Sequence, residues 1–129
     1  MSENMKKKLA IFAAGTGGHV YPGLSIANQL IAENIDITWI GTKKGIEKKL
    51  VENEKIHIDF IDFSGVRGKG LYIIIKLPLK LIRATYQAFK ILKKTKPNAV
   101  LSMGGYVSVP CIIASKILGL PIIIHEQNI

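Results

Sequence analysis

The sequence has a single cysteine, Cys111, in 129 residues, so no internal disulfide can form, and a reducing compartment suits it. Aromatics are scarce: four Phe, four Tyr and one Trp, with no stacking motif. That scarcity argues against a nucleic-acid-binding module, although the basic excess alone would permit one. No hydrophobic run can cross a bilayer. The longest, Leu71 to Ile82, is broken by Lys76, Pro78 and Lys80. Lys6-Lys7-Lys8 before the six apolar residues Leu9 to Ala14 imitates a signal peptide, but the apolar stretch is too short and enters a Gly-rich loop. No period or biased tract repeats, which excludes collagen-like, low-complexity and solenoid chains. There is no Asp-x-Asp pair, and His19, His57 and His125 have no neighbours at ligand spacing, so metal-independent chemistry with no cofactor is expected.

Hydrophobic residues make up 48% of the chain and charged residues 21%, a globular composition of single-domain size. The net charge of +9 is unevenly placed. Met1 to Asp62 is neutral. Phe63 to Ile129 carries the whole excess and a single acid, Glu126. Such a half is either a solvated basic face or a surface for phosphates or anionic lipid.

Strand and helix signals alternate along the chain. Apolar runs at Lys8 to Ala13, Ile35 to Ile40, Ile56 to Ile61, Ala99 to Ser102 and Leu120 to His125 read as strands. Helices are expected from about Pro22, placed in a first turn, over Gly45 to Asn53, over Leu71 to Lys94 with a break or kink near Pro78, and over Val107 to Leu118 with Gly119 as cap. This β-α alternation predicts an α/β fold, a Rossmann-like parallel sheet with helices on both faces. Ligands of such sheets bind beyond the carboxyl ends of the strands. The chain stops at Asn128-Ile129 beside that edge, so a second half of the cleft is expected beyond it.

Four segments fall on that edge. Gly15-Thr16-Gly17-Gly18-His19 joins the first strand to the first helix, where glycines allow a tight turn and helix N–H groups can meet an anion. It is not a dinucleotide fingerprint, because Val20 stands where the last Gly is required, and not a P-loop, because no Gly-Lys-Ser/Thr follows. A plain βα turn is the competing reading. His19 is the one titratable group there, either a general base or a residue that orders the loop. Met103-Gly104-Gly105-Tyr106 repeats the device, and two such loops suit a substrate with more than one phosphate. His125-Glu126-Gln127-Asn128 ends the last strand with four polar groups. Beyond the loop Ser64 to Gly70, Lys76, Lys80, Arg83, Lys90 and Lys94 form one helical stripe behind Leu71, Tyr72, Ile73, Ile74 and Ile75. Exposed Ile and Leu beside that stripe would mark a peripheral membrane face; buried ones would mark an ordinary amphipathic helix.

Together, Gly15 to Leu24, Ser64 to Gly70, Met103 to Ser108 and His125 to Asn128 resemble, in order and in spacing, the MurG family of bacterial peptidoglycan UDP-N-acetylglucosamine transferases. The resemblance covers essentially the whole chain. It implies the N-terminal half of a GT-B glycosyltransferase that moves GlcNAc from UDP-GlcNAc to the MurNAc C4 hydroxyl of lipid I, giving lipid II with inversion. It implies a peripheral protein on the cytoplasmic face of the membrane, and an acceptor domain spanning 1–129 whose C-terminal donor domain is missing and without which it is inactive. By position, Thr16, Gly17, Gly18 and Asn128 would contact the donor, His19 would be the base, Gly104, Gly105 and Tyr106 would hold the lipid diphosphate, and Glu126 would line the cleft. Leu71, Tyr72, Ile73, Ile74, Ile75, Lys76, Leu77, Leu79 and Lys80 would form the membrane patch against an anionic surface. The chain departs from the family at Ala14 and Val109, where glycine is usual. An alternative is a membrane-anchoring subunit that recruits a separate catalytic chain. Nucleic acid is not an expected partner.

Overall fold

The computed structural model describes residues 6–14, 17–63, 71–105 and 108–125, with Gly17, Tyr72 and Ile73 described by backbone alone. The element order is β1 (Lys8–Phe12), α1 (Gly17–Ala32), β2 (Asp36–Gly41), α2 (Glu47–Asn53), β3 (His57–Phe60), α3 (Leu71–Thr95), β4 (Ala99–Ser102), α4 (Ser108–Ile117) and β5 (Ile122–Ile124). The strands form one parallel sheet in the order β3-β2-β1-β4-β5. The chain winds outward from β1 to β3, then returns to the other side of β1. The reversal between β1 and β4 is the switch point, the place on such a sheet where ligands bind beyond the carboxyl ends of the strands.

The alternation of β1 assigns the two faces. Ala10, Phe12 and Ala14 join Ala84, Ala88 and Leu92 of α3 and Cys111 and Ala114 of α4 in one core. Ile11 and Ala13 join Val20, Leu24 and Ala27 of α1, Trp39 of β2 and Val51 of α2 in the other. The period of two puts successive β1 side chains on opposite faces, so one strand anchors both layers. Trp39 is fully buried and donates Nε1–H to Ala13 O at 2.9 Å. A Cβ on Gly23 of α1 would lie 2.7 Å from the Trp39 ring, so α1 sits as close to the sheet as it does because that position has no side chain.

Two expectations about proline need correction. Pro22 is not in the first turn of α1, which begins at Gly17. It lies in the second turn and leaves the carbonyl of exposed Gly18 without its helical donor. Nor does Pro78 break α3, which runs unbroken for 25 residues. The carbonyl it orphans, on Ile74, stands on exposed helix where water can satisfy it. Gly119 has φ +72° and ends α4, with Leu120 N–H donating to Ser115 O at 2.9 Å.

Candidate functional site

His19, in the first turn of α1, meets the Gly-rich turn after β4. The imidazole is half-buried, and its Nδ1 lies 2.9 Å from Met103 O. A carbonyl oxygen can only accept, so Nδ1 carries the hydrogen. In the neutral ring that leaves the lone pair on Nε2. The ring lies against the second glycine pair. A Cβ on Gly104 would stand 3.4 Å from His19 Cε1, and one on Gly105 would stand 3.4 Å from Cδ2 and 3.5 Å from Nε2. Both glycines hold positive φ, +92° and +88°. Any other residue there would meet backbone strain, with its Cβ in van der Waals contact with the imidazole.

Hydrogen bonds fix the Gly104-Gly105 turn from both ends. Ser108 Oγ–H donates to Gly104 O at 2.8 Å, Ser108 N–H to Gly105 O at 3.2 Å, and Gly104 N–H to Ser102 Oγ at 3.3 Å. The sequence assigns neither serine a role, although Ser108 closes the Met103–Ser108 segment and stands at the start of a helix directly after a Gly turn. Gly17 and Gly18 form the first turn of α1, whose leading N–H groups have no partner within the helix. Thr16, Tyr106, Glu126 and Asn128 lie outside the described residues. His125 follows β5, donates its backbone N–H to Ser102 O at 2.8 Å, and keeps a buried Nδ1 with no partner among the described residues.

Glu47 is a second feature that carries no signature in the sequence. It is fully buried, and its Oε2 accepts from Thr42 N–H at 2.7 Å and from Thr42 Oγ1–H at 3.0 Å. A Cβ on Gly45 would collide with this carboxylate. Thr42, Gly45 and Glu47 together pin the loop that carries Lys43 and Lys44. Cys111 is buried in the α3/α4 core, and desolvation pushes its thiol far up, so it is not a nucleophile.

The α3 helix divides in two. From Ala84 onward, Ala84, Ala88 and Leu92 recur every four residues and are buried on the sheet. Before Ala84, Leu71, Ile74, Ile75, Leu77, Leu79 and Ile82 are all exposed, Leu71 at 76% and Ile82 at 66%. Tyr86, Ile113 and Ile117 continue the apolar surface onto the second half of α3 and α4. Lys76 is exposed and Lys80 half-buried beside them. The side chains of Tyr72 and Ile73 are outside the description. No described helix is long and apolar enough to cross a membrane.

The glycosyltransferase family 28 N-terminal domain profile matches residues 9–129. A Histophilus somni protein described as UDP-N-acetylglucosamine–N-acetylmuramyl-(pentapeptide) pyrophosphoryl-undecaprenol N-acetylglucosamine transferase is 49% identical over 95% of this chain and 34% of its own length. A Haemophilus influenzae protein of the same description is 50% identical over 95% of this chain and 35% of its own. The crystal structure of Acinetobacter baumannii MurG superposes with a TM-score of 0.82 at 42% identity, covering 95% of this chain and 35% of that one. The chain thus spans about a third of the length of the curated relatives it matches.

Proposed function

The chain belongs to the glycosyltransferase family 28 N-terminal domain family, and from that premise we propose that it is the acceptor-binding part of a transferase with a second, donor-binding domain. In this reading the reaction moves GlcNAc from UDP-GlcNAc to the C4 hydroxyl of the N-acetylmuramyl unit of lipid I, giving lipid II in peptidoglycan synthesis. The observation that carries it is His19, held by Met103 O over the Gly104-Gly105 turn at the switch point with Nε2 left as the acceptor nitrogen.

The residues divide the chemistry as follows. Nε2 of His19 takes the proton of the C4 hydroxyl while that oxygen attacks the anomeric carbon from the face opposite the leaving group. The bond from the anomeric carbon to the UDP oxygen breaks, and the configuration inverts. Charge growing on the UDP diphosphate meets the N–H groups of Gly17 and Gly18 at the start of α1, with Thr16 beside them. Gly104, Gly105 and Tyr106 take the acceptor's own diphosphate. Asn128 touches the donor sugar and Glu126 lines the cleft. No cofactor or metal is required of this domain.

The exposed face of α3 holds the site at the membrane surface. Burying six aliphatic side chains even in part is worth on the order of 5 kcal/mol, and each cation near an anionic surface adds about 1 kcal/mol. The same face fits the second reading, a membrane-anchoring subunit that recruits a separate catalytic chain. A chimera separates the two. Residues 6–125 replace the matching part of the Haemophilus influenzae relative, and transfer of labelled GlcNAc to a lipid I analogue is measured. Turnover is expected from the chimera. A folded, membrane-bound chimera without turnover would leave only the anchoring reading.

A further inference from the structure

A basic cleft of about 320 Å³ opens at the carboxyl ends of β2 and β3, on the side of β1 away from β4. Lys43 and Lys44 of the loop after β2, Ile61 and Phe63 after β3, and Lys80 and Arg83 of α3 line it. Asp62 is the one acid in the lining, and its Oδ2 accepts from Arg83 Nη2 at 3.3 Å and Gln87 Nε2 at 3.1 Å. Lys43, Lys44 and Lys80 have no ion pair with any described residue. Because Glu47 pins their loop through Thr42, the first two stand on a fixed backbone and lose less freedom on binding a ligand.

We propose that this cleft receives the carboxylate-bearing end of the acceptor's pentapeptide; the inference rests on the acceptor reading above. Three observations favour a peptide end. First, the lining combines the apolar side chains of Ile61 and Phe63 with the cations of Lys43, Lys44, Lys80 and Arg83. That suits a small side chain ending in a carboxylate better than a phosphate, which needs converging N–H donors. Second, the volume lies at the lower end for ligand pockets, enough for the end of a peptide and not all of it. Third, the sheet order fits the acceptor's connectivity. On an N-acetylmuramyl unit the diphosphate leaves from C1 and the peptide from the substituent on O3, next to the reacting C4 hydroxyl. With that hydroxyl at His19 and the diphosphate on the β4 side, the peptide departs toward β2 and β3. Strands lie about 4.8 Å apart, so β3 is roughly 10 Å along the edge from β1. Five extended residues reach up to about 17 Å.

The test is a fluorescence titration of the whole chain against three short-chain N-acetylmuramyl diphosphate analogues: one with the pentapeptide and its free carboxylate, one with that carboxylate amidated, and one without the peptide. Wild type is compared with the Lys43→Glu/Lys44→Glu variant, whose exposed positions leave folding intact, as a thermal melt verifies. The variant is expected to bind the free-carboxylate analogue about tenfold more weakly, and the peptide-free analogue within twofold of wild type. Amidation should remove most of the difference between the two proteins. Equal weakening toward all three analogues would assign the cleft to the diphosphate and overturn the proposal. So would a tenfold loss of retention on phosphatidylglycerol vesicles with unchanged analogue binding, which would make it a headgroup site. Wild-type binding of the peptide-free analogue with no gain from the peptide defeats the cleft inference alone. Binding of none of the three defeats the acceptor reading, and the cleft inference with it.

Discussion

His19 and Cys111 show how environment decides what a side chain does. His19 was visible in the sequence as the one titratable group of a Gly-rich turn, with base and loop-ordering roles both open. The structure gives it a loop-ordering bond at Nδ1 and shows no partner for Nε2 among the described residues, so one ring can serve both roles. What the sequence could not supply was the partner, because Met103 and Gly104 lie more than eighty residues away and meet His19 only through the β1–β4 pairing. Glu47 was illegible for a similar reason. Burying a carboxylate is costly unless donors converge on it, and those donors, Thr42 N–H and Oγ1–H, are visible only once the loop is folded. Cys111 gives a prediction of its own. Its thiol has an ordinary value of 9.0 when unfolded, and burial raises it in the fold. Its contribution to stability is complete below pH 9 and lost as pH rises above that, because only the unfolded chain then releases the proton. By pH 10 the wild type should lose about 1.4 kcal/mol relative to Cys111→Ala, read as converging urea midpoints. Parallel pH profiles for the two proteins would refute the burial argument.

At the scale of elements, the sequence was most legible where the period was long and least where packing decided. Five strands and four helices are expected in the observed order, and their ends shift by at most two residues except at the start of α1, where Pro22 lies a full turn into the helix. Pro78 shows why a helix breaker need not break a helix: the bond it removes lies on an exposed surface. The two-part character of α3 could not be read from spacing, because its apolar residues fit a buried face and an exposed face equally well. Exposure decides the matter, with Ile75 at 64% and Leu79 at 62%. The prediction belongs to this helix. Ile75→Glu/Leu79→Glu should lower retention on anionic vesicles at least tenfold, while the melting temperature stays within a degree or two because neither side chain supports the core. Undiminished retention would remove the membrane role from α3. A collapsed melt would show that the face packs against protein.

At the scale of the whole molecule, the doubly wound sheet gathers onto one edge residues that the chain keeps far apart. His19, Gly104 and Gly105 converge at the switch point, while Lys43, Lys44, Lys80 and Arg83 ring a cleft two strands away. The charge asymmetry of the sequence gains a location here. The excess of the second half lies largely along α3; Lys80 and Arg83 from its first half line the basic cleft, and two lysines from the neutral half complete it. The central claim is that His19 is the base at this switch point. It is tested most directly by steady-state transfer kinetics of the Haemophilus influenzae chimera carrying His19→Ala, with UDP-GlcNAc and a lipid I analogue as substrates. Loss of the base predicts a fall in kcat of about 100-fold or more with the KM for UDP-GlcNAc within a few-fold of the unmutated chimera. An unchanged kcat would contradict it.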